Sequence, residues 1–484
     1  MRALSIPAVL ALVFICLQLP DITTYPLVTT DEAFLSDAAL QLVRHGIFRS
    51  DLLRMNIGFD GPYFWHPPGF SLAQALIYEI GGFGIWQTRL SAIIFGGLVC
   101  GALYRAVDVL TGDRRIALAA GILPIFWTSF LLTSRTTRMD CAAIFFLLVA
   151  TIFTVRMVKG KPDRATAFAA GFSIGLAGIF HSIAATWAAG LIFAFTLETW
   201  RTPRYVILMV VGAAILPAAW LVGAAFHYDA FDAQFIYQLT GRTASEGFFG
   251  RIAGDFTRYG REFTRWPAAL VLLLFMAYLG VRTPLRQPPF RVLFTTTVAA
   301  ALVSMMITGK SFGFYQLYIL FPVVLVCAVV WRSALDGAMT KRMCVLGTSL
   351  YCAMVLNAAA VTYIPRIIAN VMQTRERDYA LQFDALTSRL KPGDQVWGTA
   401  VSWFAVLSAG ARLDAAPEAV PLRWRSAPDP ARHRFVVMLV GKTFDTDGYA
   451  KVGTFGEALP IVLGTTYSNY EYVYEIWQST RLPQ

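Results

Sequence analysis

Residues 29–69 read TTDEAFLSDAALQLVRHGIFRSDLLRMNIGFDGPYFWHPPG and form the first long polar segment of the chain. The segment follows an apolar N-terminal run and precedes a series of apolar stretches. It opens with an acidic pair, Asp31 and Glu32, continues through several basic residues and ends in a His-Pro-Pro turn at His66. A polar segment placed between apolar stretches is typical of a loop outside the bilayer in a protein with several membrane spans.

The composition around this segment also indicates a membrane protein. The chain has 484 residues, of which 56% are hydrophobic and 15% are charged, and its mean hydropathy is +0.56. Soluble domains carry about 25% charged residues, and a helix needs about 20 apolar residues to cross a bilayer. We therefore predict an all-α polytopic membrane protein with about eleven transmembrane helices, at residues 4–19, 86–110, 116–133, 139–157, 165–180, 183–200, 204–225, 267–281, 291–308, 314–332 and 343–363.

The charges between these spans predict the orientation of the chain. If the N-terminus is cytoplasmic, five loops lie inside, and all five are basic, as the positive-inside rule requires. They are residues 112–115, 156–164, 201–204, 282–291 and 332–342. The first loop (residues 21–85), a second long loop (226–266) and everything after about residue 365 then lie outside. We expect the plasma (inner) membrane as the location, with the C-terminal part in the periplasm or another extracytoplasmic space.

Two domains are predicted from the change in composition near residue 365. Residues 1–365 form the transmembrane domain, in which residues 70–80 are apolar but too short to cross and suggest an interfacial or re-entrant helix. Residues 366–484 contain short runs typical of strands at 395–398, 434–440 and 470–477. We interpret this second part as a small extracytoplasmic α/β domain.

Composition also argues against other classes of protein and site. The net charge is +11, but no soluble module with interleaved basic and aromatic residues is present, so nucleic-acid binding is not expected. The six cysteines all fall in apolar stretches without the spacing of a metal site. They are best interpreted as small buried side chains rather than a disulfide framework.

The acidic pair has a structural and a chemical explanation. The sequence TTDE fits a capping box, with Thr29 as the cap and Glu32 three positions later, and predicts a helix over residues 31–45. A carboxylate fixed at a helix start is also well placed as a base, so Asp31 and Glu32 are candidate catalytic residues. Asp37 lies about 240° round the helix from Asp31, so that pair alone is not expected to bind a metal.

Basic and aromatic residues recur at the predicted outer ends of the spans. Cations there contribute nothing to the orientation rule, whereas Arg and Lys bind phosphate oxygens through strong charged hydrogen bonds. A solvated basic face, the helix dipole and snorkelling explain the same residues without a function. The candidates for binding an anionic substrate, or for supporting such a site, are Arg54, His66, Arg135, Arg138, Asp140, Lys310, Tyr315 and Tyr318.

These motifs, in this order, resemble the GT-C class of integral-membrane glycosyltransferases. They are the acidic pair, the basic residue before Pro-Pro, the segment SRTTRMD at 134–140 and the run KSFGFYQLY at 310–318. The likeness covers about residues 1–330 and is nearest to the family-39-like bacterial enzymes, which include lipid A aminoarabinose transferases and rhizobial galacturonosyltransferases. The chain departs from them at His66, where members often have Lys, and at His181-Ser-Ile, which replaces a Lys-Gly-Pro sequence.

The resemblance assigns roles to the candidate residues. It implies that Asp31 is the catalytic carboxylate with Glu32 as its companion. It also implies that the phosphate is held by basic and aromatic residues, and that three others contact the acceptor or support the site. The residues expected to hold the phosphate are His66, Arg135, Arg138, Lys310 and Tyr315. Those expected to contact the acceptor or support the site are Arg54, Asp140 and Tyr318.

The implied activity is inverting transfer of a sugar from a polyprenyl phosphate to a hydroxyl group. The acceptor would be a glycolipid such as lipid A, a polysaccharide or a protein, at the extracytoplasmic face. These residues require no cofactor. Asp31, Glu32 and Asp140 are also suited to bind a divalent cation if their side chains lie close together. The alternative is a transporter or flippase of lipid-linked sugars, which would place ionisable residues near mid-membrane and show paired halves.

Overall fold

The computed structural model describes residues 5–160, 162–243, 248–282, 287–307, 313–337, 339–415, 425–466, 468 and 471–482. In the first part of the chain, the regular structure of the described residues is helical. Its helices are α1 (Ile6–Gln18), α2 (Thr30–His45), α3 (Gly69–Gly81), α4 (Ile85–Thr111), α5 (Arg114–Phe126), α6 (Thr128–Arg135), α7 (Asp140–Lys159), α8 (Arg164–Phe180), α9 (Ala184–Thr199), α10 (Pro203–Ala225), α11 (Tyr228–Phe231), α12 (Tyr237–Thr243), α13 (Phe248–Arg265), α14 (Pro267–Arg282), α15 (Pro288–Ile307), α16 (Leu317–Gly337) and α17 (Lys341–Met372).

Each predicted span falls on one of these helices, except residues 116–133, which fall on the bent pair α5 and α6. Within the described residues, six helices are long and apolar enough to cross a membrane, and the bent pairs α5–α6 and α13–α14 raise the number to eight. The remaining predicted spans correspond to α1, α8 and α9, which are shorter apolar helices. The helical membrane class is therefore confirmed, while the count of eleven crossings and the orientation remain predictions.

The polar segment at residues 29–69 folds into a helix followed by an irregular loop. Helix α2 is rich in Ala and Leu, and it ends at Gly46, whose positive φ of 68° suits glycine. Arg44 and His45 occupy the last turn, where cations stabilise the helix dipole. The short apolar run after the Pro-Pro turn is α3, as predicted, and it packs against both α2 and α4.

The C-terminal part contains a mixed sheet, which confirms the predicted small C-terminal sheet. Its strands are β1 (Gln395–Gly398), β2 (Arg412–Asp414), β3 (Phe435–Leu439), β4 (Tyr449–Phe455) and β5 (Tyr474–Ser479). In the described residues their order is β2-β1-β3-β5-β4, with β1 parallel to β2 and β3 and the other two pairs antiparallel. Short helices surround the sheet: α18 (Thr374–Arg377), α19 (Tyr379–Gln382), α20 (Asp384–Thr387) and α21 (Trp403–Ser408).

The sheet domain shares a hydrophobic core with the first loop. Leu40 of α2 and Tyr78 of α3 are buried in the same cluster as Phe383, Trp403 and Tyr474 of the C-terminal part. A backbone hydrogen bond of 2.9 Å, from Ala415 N–H to the carbonyl of Leu52, joins the two further. The C-terminal domain therefore supports α2 and fixes its position above the membrane helices.

An ionic cluster ties the start of the chain to the last long helix. Asp21 follows α1 and accepts hydrogen bonds from Arg366 of α17 (2.9 Å from Nε to Oδ2) and from Arg135 of α6 (2.8 Å from Nη2 to Oδ1). Both guanidinium groups are buried, so the paired carboxylate offsets charges that would otherwise be costly to bury. We call Asp21, Arg135 and Arg366 the N-terminal clasp.

Candidate active site

The two members of the acidic pair lie in different environments. The side chain of Asp31 is 57% exposed, and one of its oxygens lies 3.1 Å from Nη1 of Arg138. Glu32 is fully buried and forms a bidentate pair with Arg89, with N–O distances of 2.7 and 2.9 Å. It also accepts hydrogen bonds from the Thr29 N–H (2.8 Å) and the Thr137 hydroxyl (3.3 Å). Of the two carboxylates, only that of Asp31 is exposed.

Arg138 connects Asp31 to the start of α7. Its Nε donates to Oδ2 of Asp140 at 2.8 Å while its Nη1 donates to Asp31. Its guanidinium carbon also lies 3.9 Å from the centre of the Phe314 ring. Burial opposes the charge of Arg138, but the nearby carboxylates of Asp140 and Asp31 more than offset this, so its pKa is raised. Arg138 is therefore a fixed cation whose Nη2 has no hydrogen bond to any described residue.

The turn that carries Arg138 has an unusual backbone. Thr137, the residue before it, has a φ of +54°, a conformation that non-glycine residues rarely adopt. Its hydroxyl donates to Glu32, so the buried Glu32–Arg89 pair helps to hold the turn. Strain of this kind is often kept at functional sites because the surroundings over-determine it.

Two histidines and two tyrosines extend the cluster beyond Asp140. His181, at the end of α8, places Nε2 3.8 Å from Oδ1 of Asp140. Its Nδ1 accepts a 3.0 Å hydrogen bond from the Ile183 N–H, so in the neutral ring the hydrogen is on Nε2, facing Asp140. The ring centres of His66, Tyr315 and Tyr318 lie 6.4, 5.8 and 6.1 Å from that of His181.

Helix α16 gives this cluster its most deeply buried hydroxyl. Tyr318 is 1% exposed, and its hydroxyl has no hydrogen bond to any residue that the structure describes. A buried hydroxyl without a partner is costly, so a polar group that reached it would lower this cost. The structure thus brings together Asp31, Arg138, Asp140, His66, His181, Tyr315 and Tyr318, which we call the Asp31 cluster.

Two other predicted residues lie elsewhere. Arg135 is fully buried in the N-terminal clasp, where its donors reach Asp21 and backbone carbonyls, including that of Tyr25 at 2.8 Å. Its geometry is that of a structural cation. Arg54 lines a separate cavity against the C-terminal domain. Lys310 lies outside the described residues, so its predicted contact with phosphate stays a prediction.

Sequence reasoning did not identify Arg89. It lies in the first turns of α4, and it forms the buried ion pair with Glu32. An arginine in an otherwise apolar span is costly unless it is paired, so its presence was a signal that an anion had to lie nearby. Phe314, which stacks on Arg138, carried no such signal.

Within the described residues, no group of three or more His, Cys, Asp or Glu side chains is close enough to hold a metal ion. The sequence suggested Asp31, Glu32 and Asp140 as residues suited to a divalent cation. In the structure, Arg138 bridges the carboxylates of Asp31 and Asp140.

A large apolar groove lies within the helical part of the chain. It has a volume of about 560 Å³ and is lined by α5, α13, α14, α16 and α17. Helix α16 contributes to both features, because Tyr318 belongs to the cluster while Leu320, Val323 and Val324 line the groove. The groove follows the whole of α5, which is about 20 Å long at 1.5 Å per residue. A flexible apolar chain is the kind of ligand that fits this shape.

Comparisons with known proteins agree with these features. Residues 65–222 match the family described as dolichyl-phosphate-mannose-protein mannosyltransferase. Among curated proteins, no sequence matches.

The fold is shared with several solved structures. ArnT from Cupriavidus metallidurans bound to undecaprenyl phosphate aligns with a TM-score of 0.62 and 14% identity over 99% of this chain and 98% of ArnT. The Archaeoglobus fulgidus oligosaccharyltransferase AglB, in complex with an inhibitory peptide and a dolichol-phosphate, aligns with a TM-score of 0.53 and 12% identity over 89% and 69% of the two chains. The mycobacterial arabinofuranosyltransferase AftD aligns with a TM-score of 0.57 and 14% identity over 99% of this chain and 40% of AftD.

The resemblance indicated by the sequence motifs is thereby confirmed. The chain is an integral membrane protein with the fold of the GT-C glycosyltransferases, and its residues 65–222 carry the sequence pattern of a mannosyltransferase family of that class.

Proposed function

We propose that the protein is an inverting glycosyltransferase that moves a sugar from a polyprenyl-phosphate donor to a hydroxyl group of an acceptor. The observation that carries the proposal is the exposed carboxylate of Asp31, held 3.1 Å from the buried Arg138 at the head of a cluster of polar side chains. A base and a fixed cation side by side are what the reaction needs.

The base acts on the acceptor. A hydroxyl is a poor nucleophile, and removal of its proton by a positioned carboxylate contributes about 10²–10⁴-fold to the rate. Asp31 takes this proton as the acceptor oxygen forms a bond to the anomeric carbon. The bond from that carbon to the phosphate oxygen breaks on the opposite face, so the configuration of the sugar inverts.

The leaving phosphate needs positive charge and hydrogen-bond donors. Nη2 of Arg138 and the Tyr318 hydroxyl have no hydrogen bonds to described residues, and the rings of His66, His181 and Tyr315 surround the same space. Preorganised donors of this kind stabilise developing charge more strongly in a site that excludes water. Lys310, predicted to bind phosphate, remains part of the proposal.

Three further observations support a lipid-linked donor. The apolar groove runs along α5 and α16 and accommodates a prenyl chain. The family matched by residues 65–222 is named for dolichyl-phosphate-mannose, and the ArnT and AglB structures with the same fold hold undecaprenyl phosphate and a dolichol-phosphate. We propose the extracytoplasmic side of the plasma membrane as the location, because the basic loops lie at the opposite ends of the helices.

The test is transfer of labelled sugar from a pool of polyprenyl-phosphate donors to a membrane lipid extract. Membranes carrying the wild-type chain are compared with membranes carrying Asp31→Asn and with a matched control, Asp60→Asn, which changes an exposed aspartate in the same loop. We expect transfer by the wild type and the control, and a loss of at least about 100-fold in Asp31→Asn. Equal transfer by all three refutes the role of Asp31, and movement of the donor across the bilayer without transfer favours the transporter alternative.

A further inference from the structure

Besides the apolar groove, the protein has a polar cavity where the later half of α2 meets the C-terminal domain. Its volume is about 150 Å³, which is the space of roughly five water molecules and suits a single sugar ring. Side chains from both parts of the chain line it, including Gln41, Arg44 and Arg54 on one side and Trp403 and Arg412 on the other. We call it the interdomain cavity.

The acidic side chains of this cavity are engaged within the protein. Asp51 lies 3.0 Å from Arg49 and 3.2 Å from Arg412. The other two carboxylates are buried and also have partners. Asp414 pairs with His433 at 3.0 Å, and Asp37 accepts hydrogen bonds from the Ser50 hydroxyl (2.7 Å), the Leu52 N–H (2.8 Å) and Gln41 Nε2 (3.1 Å).

Two arginines of the cavity have no acidic partner among the residues that the structure describes. Arg54 makes no ion pair or hydrogen bond with any described residue, although it is only partly exposed. Arg44 contacts the ring of Phe83, with 5.6 Å from the guanidinium carbon to the ring centre, and has no acidic partner in the described part of the chain. Guanidinium groups bind carboxylates and phosphates through two parallel hydrogen bonds, so the cavity is suited to an anion.

A buried hydrogen-bond acceptor belongs to one of the side chains that line the cavity. Gln41 is 4% exposed, and its Oε1 has no hydrogen-bond partner among the described residues. Its amide nitrogen is fixed by the bond to Asp37, and Gln41 is one of the residues that line the cavity. A buried carbonyl oxygen without a donor costs free energy, and a hydroxyl group of a ligand would remove that cost.

We propose that the interdomain cavity binds an anionic sugar unit of the acceptor. Arg44 and Arg54 bind its carboxylate or phosphate, and Gln41 Oε1 accepts a hydrogen bond from one of its hydroxyl groups. The proposal rests on the glycosyltransferase function proposed above and specifies its acceptor. Gln41 lies ten residues after Asp31 on α2, a distance of about 15 Å along the helix, so a glycan of a few sugars spans from the cavity to the base.

Binding to the purified full-length protein tests the cavity independently of transfer. Isothermal titration with glucuronate, glucose 6-phosphate and glucose compares a carboxylate sugar, a phosphate sugar and their neutral counterpart. We expect one of the two anionic sugars to bind and glucose to bind at least about tenfold more weakly. Arg54→Gln and Arg44→Gln should each weaken that anionic sugar about tenfold or more, whereas Arg375→Gln, on an exposed arginine outside the cavity, leaves it unchanged.

The Asp31→Asn protein separates the two proposals. It should bind the anionic sugar with the wild-type Kd, because Asp31 lies outside the cavity. If transfer fails but this pattern of binding holds, the cavity stands and the proposed reaction falls. Glucose that binds as tightly as both anions, no binding of either anion, or an unchanged Kd in both cavity variants overturns the cavity proposal even when transfer is normal.

Discussion

Replacing Asp31 and Glu32 one at a time should separate catalysis from folding. Asp31→Asn removes a carboxylate whose side chain is 57% exposed and whose ion pair lies at the surface of the site. We expect a change of no more than about 1 kcal/mol in the free energy of unfolding and a fall of about 10²–10⁴-fold in kcat. Glu32→Gln breaks a fully buried bidentate pair and leaves Arg89 without its counter-charge. Removing one partner of such a pair costs about 3–5 kcal/mol.

Thermal unfolding in detergent and sugar transfer at a temperature below both transitions measure the two effects separately. Glu32→Gln should melt well below the wild type, and the protein that remains folded should keep most of its transfer rate. Asp31→Asn should show the opposite pattern. A Glu32→Gln protein with the wild-type melting temperature and a lost rate would refute the structural role that we assign to Glu32. A strongly destabilised Asp31→Asn protein would show that its loss of activity is not chemical.

Three further predictions concern the cluster, the groove and the first loop. Arg138→Lys keeps the charge but cannot bridge Asp31 and Asp140 with a planar fork; we expect kcat to fall about 10–100-fold, and an unchanged kcat would contradict the bridging role. Val323→Trp fills part of the apolar groove; KM should rise for a long-chain donor but not for a short-chain one, and equal effects on both would exclude the groove as the chain-binding site. Burial raises the pKa of Asp37 above 3.8, so the folded state holds this proton more tightly than the unfolded state. Stability therefore falls as the pH rises from the pKa of the unfolded state to the higher pKa of the folded state. Asp37→Asn should lose this part of the pH dependence of the melting temperature, and a slope identical to that of the wild type would show that Asp37 titrates normally.

The membrane helices could be predicted because the length of an apolar run nearly determines them. The break between α8 and α9 at His181 was also visible as an interruption of one apolar stretch. The strands β2 and β4 were not predicted. Strand β2 has only three residues, and β4 alternates poorly, with Lys451, Val452 and Gly453 in its centre, so neither carries the alternating pattern of a half-buried strand.

The residues of the candidate site were predicted by type and position along the chain, but their roles depend on directions that a sequence does not give. Asp31 and Glu32 are neighbours, yet successive residues point about 100° apart on a helix, so one faces the site and the other faces Arg89. Arg135 and Arg138 also differ, although they are only three residues apart. Helix α6 ends at Arg135 and the backbone turns at Thr137, so Arg135 reaches the N-terminal clasp and Arg138 reaches the Asp31 cluster. Charged residues close in sequence become distinguishable only when their burial and partners are known.

The N-terminal clasp has a consequence for the order in which the protein assembles during synthesis. Asp21 is made early, whereas its partner Arg366 follows 345 residues later. Until α17 has been made, the pair of Asp21 and Arg135 lacks the guanidinium group of Arg366. The C-terminal domain that supports α2 has not been made either. The loop that bears Asp31 therefore gains its packing against the C-terminal domain only after residues more than 300 positions later have been synthesised.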